Sequence, residues 1–428
     1  MDYEETLKYI HSVMWRGSKP GLSRTRELLS RLGDPQKKLR FVHIAGTNGK
    51  GSTAACIESV LRASGYKTGL YTSPYILRFN ERIQVSGEQI PDGDLCALTE
   101  KIRPAADTMQ DAPTEFELIT ALGMTYFAEN NCDIVVLETG LGGELDSTNV
   151  IDTPEIAVIT AIGLDHTREL GGTIPLIASA KAGIIKNGGD VVIYGGRDGE
   201  EPVFENACRE RNARLFKTDF SKLSVTSQTL SGFSFDFGEH KSLFVPLAGT
   251  YQPKNAAVAV TALDILKGRG YNITEESLRR GLETVYWPGR FEVLGENPTF
   301  ILDGAHNPHG ASAAAESIKK YFPDRKLVFL MGVMADKDLS SMIPLYAPLA
   351  EKFITVRPDN PRSMPAEELA KRLGESGVPA FPCESIEKGV AEAVRQAGKN
   401  GVVCALGTLY FSADVRKAAE KHYGKKRP

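Results

Sequence analysis

The sequence predicts an α/β protein of two unequal domains. The first is a P-loop-type, mostly parallel sheet flanked by helices and carrying a small antiparallel ribbon. The second is a smaller C-terminal α/β domain of Rossmann-like form. Three observations predict this. Short, unbroken, β-branched apolar runs alternate with helical patterns through the first half, as in a parallel sheet covered on both faces. From about Lys217 to Leu247 apolar and polar residues alternate instead, as in a half-buried antiparallel ribbon. A second series of strand and helix patterns begins near TFILDGAHNP, and 428 residues exceed one ordinary core.

Taken in order, FVHIAG reads as a strand and STAACIESVLRASG as a helix closed by Gly65. KTGLYTS, DIVVLETG, EIAVITAIG and DVVIYGG read as further strands of one sheet. SKLSVTSQTLSGFSFDF and KSLFVPL form the ribbon, expected to extend that sheet, and NAAVAVTALDILKGRG follows as a helix. TFILDGAHNP, KLVFLMGV, KFITVRP and GVVCALGTLYF supply the second sheet. The joint is placed at RFEVLGENP, where Gly295 and Pro298 interrupt the pattern. This gives domains 1–295 and 296–428, with the chemistry in the cleft between them. The tail GKKRP is expected to be frayed and solvated.

Composition narrows the function classes. A net charge of -3 gives no general basic footprint, so nucleic acid is not an expected partner. Six cysteines lie far apart with no C-x-x-C, which argues against a disulfide framework and a structural zinc. The start, MDYEETLKYIHSV, is acidic and amphipathic, unlike a signal peptide. No apolar run is long enough to span a membrane, and the cytoplasm is the expected location.

The stretch GTNGKGS departs from the common phosphate-loop pattern G-x-x-x-x-G-K-[ST]. Ile44 stands where the first glycine belongs, and Gly51 follows Lys50. Yet Gly46, Gly49 and Gly51 let backbone N–H groups face an anion, and the following helix start adds its positive end. Lys50 can reach terminal phosphates, and Ser52 and Thr53 offer hydroxyls. Glu138 ends an apolar strand before a glycine-rich stretch, a hard oxygen ligand suited to Mg²⁺ beside phosphates. GLGGEL approaches a dinucleotide fingerprint, but Leu145 and the wrong preceding strand count against it. Asp165 and His166 follow another strand, where ligand sites gather; a histidine bonded to a neighbouring carbonyl is the plainer alternative. Lys181 lies in a small-residue helix, either snorkelling to solvent or placed near the site in a shifted protonation state. Arg290 sits at the joint, where a guanidinium can meet phosphate. Asp303, His306 and Asn307 form a turn after a strand of the second domain.

Ten words in register carry a resemblance: GTNGKGS, LYTSPYILRFNERI, TEFELITALG, VVLETGLGGELDSTNV, GLDHTRELGGT, AKAGIIK, YQPKNAAVAV, WPGRFE, DGAHNP and GTLYFSADVR. They span nearly the whole chain. The sequence resembles the folylpolyglutamate synthase and dihydrofolate synthase family, within the Mur-type ATP-dependent amide ligases. The resemblance implies that Gly49, Lys50, Gly51 and Ser52 hold ATP phosphates and that Mg²⁺ is bound near Ser73, Glu138 and His166. It implies that Lys181 can carry a carbamate, and that Asn255, Arg290 and Asp303 contact nucleotide. His306 falls near the amino acid, and Tyr75 and Arg82 fall near the folate. Lys50, Glu138, His166, Lys181 and His306 are the expected catalytic set.

The implied reaction joins L-glutamate to a folate through an acyl phosphate, in a monomer that closes its site within one chain. Anion meets anion there, so Mg²⁺, Lys50 and Arg290 are needed to offset charge. Only 45 residues precede Gly46, fewer than the separate first domain of cell-wall Mur ligases, so the folate branch is expected. The alternatives are an enzyme limited to dihydrofolate synthesis and a nucleotide-dependent switch without ligase activity; no N-K-x-D accompanies the loop to support the switch.

Overall fold

The computed structural model describes residues 1–14, 17, 19–195 and 199–424. Gly196, at the end of DVVIYGG, and the residues KKRP of the tail lie outside the described residues. The first sheet has strands β1 (Phe41–Ala45), β2 (Thr68–Tyr71), β3 (Ile83–Val85), β4 (Glu88–Gln89), β5 (Ile134–Glu138), β6 (Ile156–Ile159), β7 (Asp190–Ile193) and β8 (Arg214–Lys217). Their order is β4-β3-β2-β5-β1-β6-β7-β8. From β2 to β8 every pairing is parallel, and β3 and β4 form an antiparallel edge.

Why the central strands read as unbroken apolar runs is visible in their burial. Val42, Ile44 and Val136 face a cluster with Ile57, Val60 and Leu61 of the helix Lys50–Ala63. Phe41, Val135 and Leu137 face the opposite cluster, with Leu28, Leu118 and Leu122. Both faces are covered, so neither parity of position can be polar.

The antiparallel ribbon β9 (Leu223–Thr229), β10 (Gly232–Phe237) and β11 (His240–Val245) was expected to extend the main sheet, and it does not. It forms its own three-stranded sheet. Its alternation collects Phe233, Phe235, Phe237, Leu243 and Val245 on one face, which packs into the same cluster as Val258 and Ala262 of the helix Gln252–Gly268. An apolar face of this kind is buried by packing on a helix rather than by edge pairing.

The second sheet contains β12 (Glu292–Gly295), β13 (Thr299–Leu302), β14 (Leu327–Met331), β15 (Ala350–Thr355), β16 (Ala380–Pro382) and β17 (Val402–Leu406). Their order is β12-β13-β17-β14-β15-β16, parallel except for β12. Glu292 pairs with Leu302 and Val293 with Ile301, so this sheet begins at Glu292, ahead of the joint placed after Gly295. The interruption at Gly295 and Pro298 is a hairpin turn inside the second unit. All six cysteines are free, four of them buried.

Candidate active site

Four neighbouring strands, β2, β5, β1 and β6, deliver their carboxyl ends to one edge of the first sheet, where open α/β sheets bind ligands. The loop after β1 is shaped by close approaches. A side chain on Gly46 would put its Cβ 1.8 Å from Thr160 Oγ1, and one on Gly49 would lie 2.5 Å from Asn255 Oδ1. Gly49 also has φ of 90°, in the left-handed region. Gly51 has no unusual φ, but its Cβ would fall 2.4 Å from Trp287 Cζ2. The indole fills the space that any side chain at this position would need. The first bond of the helix runs from Thr53 N to Gly49 O, so the N–H groups of Lys50, Gly51 and Ser52 point out of the helix end toward an anion.

Around this loop stand the charged candidates. Lys50 Nζ lies 3.9 Å from Glu138 Oε1, and Ser73 N donates to Glu138 Oε2 at 3.2 Å. Burial pushes the Glu138 carboxyl above its usual range, against the opposing pull of Lys50. It is a carboxylate short of positive charge. Lys181 is buried and donates from Nζ to Gly46 O at 2.7 Å; it does not snorkel to solvent. Burial, helped by the charge of Lys50, lowers its pKa to about 7. Ser52 is buried and its Oγ accepts from Gln252 Nε2 at 3.2 Å, while Gln252 Oε1 accepts from Asn255. Asn255 thus closes over Gly49 from the helix Gln252–Gly268.

A second group bridges the domains. Asp165, after β6, accepts from Asn307 Nδ2 at 2.8 Å and pairs with Lys337 Nζ at 3.0 Å. His306 Nε2 stands 3.5 Å away. Burial opposes the Asp165 charge, but the His306 hydrogen bond and the charges of His306 and Lys337 outweigh it and hold the carboxyl well below its usual range. Asn48, in the phosphate loop, meets Asn307 at 3.3 Å and His309 at 2.7 Å. His166 takes a left-handed φ of 49° and caps the short helix Thr167–Leu170. Its side chain is 45% exposed, and its Nε2 lies 4.0 Å from Asp165.

The joint holds the remaining candidates. Gly304 makes room for Arg290, whose Nη1 would lie 2.3 Å from a Cβ there. Asp303 is buried and committed: it accepts from Tyr251 Oη at 2.9 Å, Phe291 N at 2.8 Å and Ala305 N at 2.8 Å. That carboxylate locks the joint and sets the direction of Arg290. Arg82 lies over Tyr75 at 5.2 Å, with its Nε buried and lacking a hydrogen-bond partner.

Residues 44–263 match the Mur ligase middle domain, and residues 289–409 match the Mur ligase glutamate ligase domain. A dihydrofolate synthase/folylpolyglutamate synthase of Bacillus subtilis is 38% identical over 97% of this chain and 98% of the relative. The chain belongs to the folylpolyglutamate synthase and dihydrofolate synthase family. The crystal structure of a folylpolyglutamate synthase from Thermotoga maritima superposes with a TM-score of 0.85 and 32% identity, covering 99% of this chain and 98% of that one. The folylpolyglutamate synthase of Mycobacterium tuberculosis complexed with ADP superposes with a TM-score of 0.90 and 28% identity, over 100% of both.

A hard divalent cation such as Mg²⁺ is held by oxygen ligands. Glu138 and the adjacent Ser73 offer hard oxygen ligands, and two protein oxygens with phosphates and water suit this ion. No group of three or more His, Cys, Asp or Glu side chains able to hold a metal occurs among the described residues. Sequence reasoning missed Asn48, Trp287 and Lys337. The signal for Lys337 was available: GVMADKD follows a strand of the second sheet, as DGAHNP does.

Proposed function

We propose that this chain is an ATP-dependent ligase that joins L-glutamate to a folate, with tetrahydrofolate as the principal acceptor and dihydropteroate as a second. The observation that carries this reading is the facing of two groups. The phosphate loop with Lys50 beside Glu138 lies on one wall, and His306, Asn307 and Lys337 gather on Asp165 from the other. The names of the B. subtilis and T. maritima relatives support the substrate class, and the ADP complex of the M. tuberculosis protein supports the nucleotide.

The outward N–H groups of Lys50, Gly51 and Ser52 hold the phosphates of ATP. Lys50 and Arg290 offset their charge as the folate carboxylate oxygen bonds to the γ-phosphorus and the bond to ADP breaks. Magnesium, when bound at Glu138 and Ser73 with His166 alongside, supplies further charge neutralisation on the phosphates. The glutamate nitrogen then attacks the acyl carbon, and the carbon–oxygen bond to phosphate breaks. His306 Nδ1 is bonded to Gly304 O at 2.7 Å, so Nε2 is the nitrogen turned to the cleft and to Asp165, on the path of the proton the amine releases. Asn255 and Asp303 position nucleotide and joint, and Tyr75 and Arg82 receive the folate. Closure of both walls excludes water from the acyl phosphate.

Lys181 carries a carbamate in this reading. Only a neutral amine adds to carbon dioxide, losing a proton as the C–N bond forms, and a buried lysine with pKa of about 7 is substantially neutral near pH 7. ¹³C NMR of protein held in labelled bicarbonate, with Lys181→Ala as control, tests this. The enzyme works as a monomer in the cytoplasm; no helix among the described residues is long and apolar enough to cross a membrane. The function itself is tested by offering dihydropteroate and tetrahydrofolate separately with ATP, Mg²⁺ and L-glutamate. Product masses longer by one glutamyl residue are expected; absence of any glutamylated product from both acceptors overturns the reading.

A further inference from the structure

Two arginine-over-tyrosine pairs stand on opposite walls of the cleft. On the first domain, Arg82 lies over Tyr75 at 5.2 Å. On the second, the Arg362 guanidinium lies 5.9 Å from the ring centre of Tyr410, with Nη2 3.4 Å from Tyr410 Oη. The walls meet close by, since a Cβ on Gly289 would sit 3.0 Å from Ile76 and 3.7 Å from Leu409, the respective neighbours of Tyr75 and Tyr410.

Arg362 is held in place by its backbone while its head stays open. Its N–H donates to Asn360 Oδ1 at 3.0 Å and its carbonyl accepts from Ala335 N at 2.9 Å. An antiparallel bridge joins Met334 to Ser363. The loop of Arg362 is therefore tied to the loop that carries Lys337 to Asp165. Tyr410 is 50% exposed. No carboxylate among the described residues forms an ion pair with Arg362. A plain surface cation–π pair is a weak contact, and it does not by itself require this anchoring of the loop.

We infer that Arg362, seated on Tyr410, reads the α-carboxylate of the terminal glutamyl residue of a folate acceptor. This rests on the folate-ligase reading above. An acceptor that already ends in glutamate presents two carboxylates: the γ-carboxylate that is activated, and an α-carboxylate a few bonds away that must be recognised and left unreacted. A guanidinium fixed on a ring and lacking a protein counter-ion suits the second, because it can take a carboxylate in two parallel hydrogen bonds. Dihydropteroate has no such group, so Arg362 makes the site selective for glutamyl-terminated acceptors.

The test measures kcat/KM for tetrahydropteroylglutamate and for its terminal α-carboxamide, in the wild-type chain and in Arg362→Ala. The wild type is expected to favour the carboxylate by about ten-fold, the size of one charged hydrogen-bonded contact. In Arg362→Ala that ratio falls toward one, through KM for the folate. Arg362→Gln, which keeps the bulk without the charge, behaves alike, and Arg362→Lys recovers part of the ratio. An unchanged ratio in the alanine and glutamine variants overturns the inference. So does a wild type indifferent to the carboxamide, or one that accepts dihydropteroate alone. Failure of the wild type to glutamylate any folate overturns the ligase reading instead.

Discussion

Lys337 Nζ lies 3.0 Å from Asp165 Oδ1, and the two residues come from different domains. Asn307 holds the other oxygen of the same carboxylate at 2.8 Å. One aspartate thus collects three side chains of the second domain and holds them opposite the phosphate loop. Asp165→Asn removes the charge that Lys337 and His306 answer. It is expected to lower stability by about 2 kcal/mol, since a largely buried cation loses its partner, and to raise KM for glutamate. The sign with pH follows from the lowered carboxyl of Asp165. Its contribution is complete above the ordinary value of 3.8 and fades as pH falls below it, toward the folded value. Urea unfolding should show the gap between variant and wild type at its widest near neutral pH and narrower in acid.

Lys50→Ala leaves the loop backbone in place and removes its cation. Turnover is expected to fall by at least about 100-fold, comparable to losing one charge-stabilising donor in a preorganised site. Lys50 is a partly exposed side chain whose long-range partner is Glu138, so the thermal midpoint should move little. Full activity in this variant would contradict the assignment of the loop.

Gly51→Ala places a methyl group where Trp287 already stands, 2.4 Å from Cζ2. The expected cost is about 1–3 kcal/mol of overpacking, together with a raised KM for ATP because the first helical turn is displaced. Combining it with Trp287→Leu should recover part of the lost stability. If the single variant is as stable as the wild type, the indole is not what excludes a side chain at this position.

Lys181→Met tests the buried amine. The folded pKa of about 7 lies below the ordinary 10.5, so between these values the unfolded chain binds the proton and the folded chain does not. Wild-type stability therefore rises with pH across that window. In buffer free of carbon dioxide, the methionine variant should exceed the wild type in stability most below pH 7, with the advantage shrinking toward pH 10.5. A gap independent of pH would mean that Lys181 is protonated throughout. Turnover should fall at every pH.

The central sheet was legible because β1, β5, β6 and β7 are buried on both faces and read as unbroken apolar runs. The strands that escaped are short and carry mixed side chains: β3 is IQV, β4 is EQ, β8 is RLFK. The ribbon was legible as a ribbon, but what its apolar face packs on depends on the helix Gln252–Gly268, which pattern alone does not place. β12 was cut off from its sheet because Gly295 and Pro298 mark a turn equally well inside a domain and between domains. Lys50, Glu138 and Lys181 stood out locally, by glycine spacing, by a strand end and by an apolar helix. Ser73, Asn255, Tyr75 and Arg82 came only with the resemblance. The partnership of Asp165 with Lys337 joins positions 172 apart, and the reason for Gly51 lies in Trp287, on another element. Contacts of that range are set by topology and leave no local trace.

The most direct measurement is the rate of ADP release with ATP and Mg²⁺ present, taken with neither acceptor, with tetrahydrofolate alone, with L-glutamate alone, and with both. Release that requires the folate and L-glutamate together, with glutamylated folate formed in equal amount, is the expected result. ATP hydrolysis at the same rate in all four mixtures would contradict it and point to a nucleotide-driven switch.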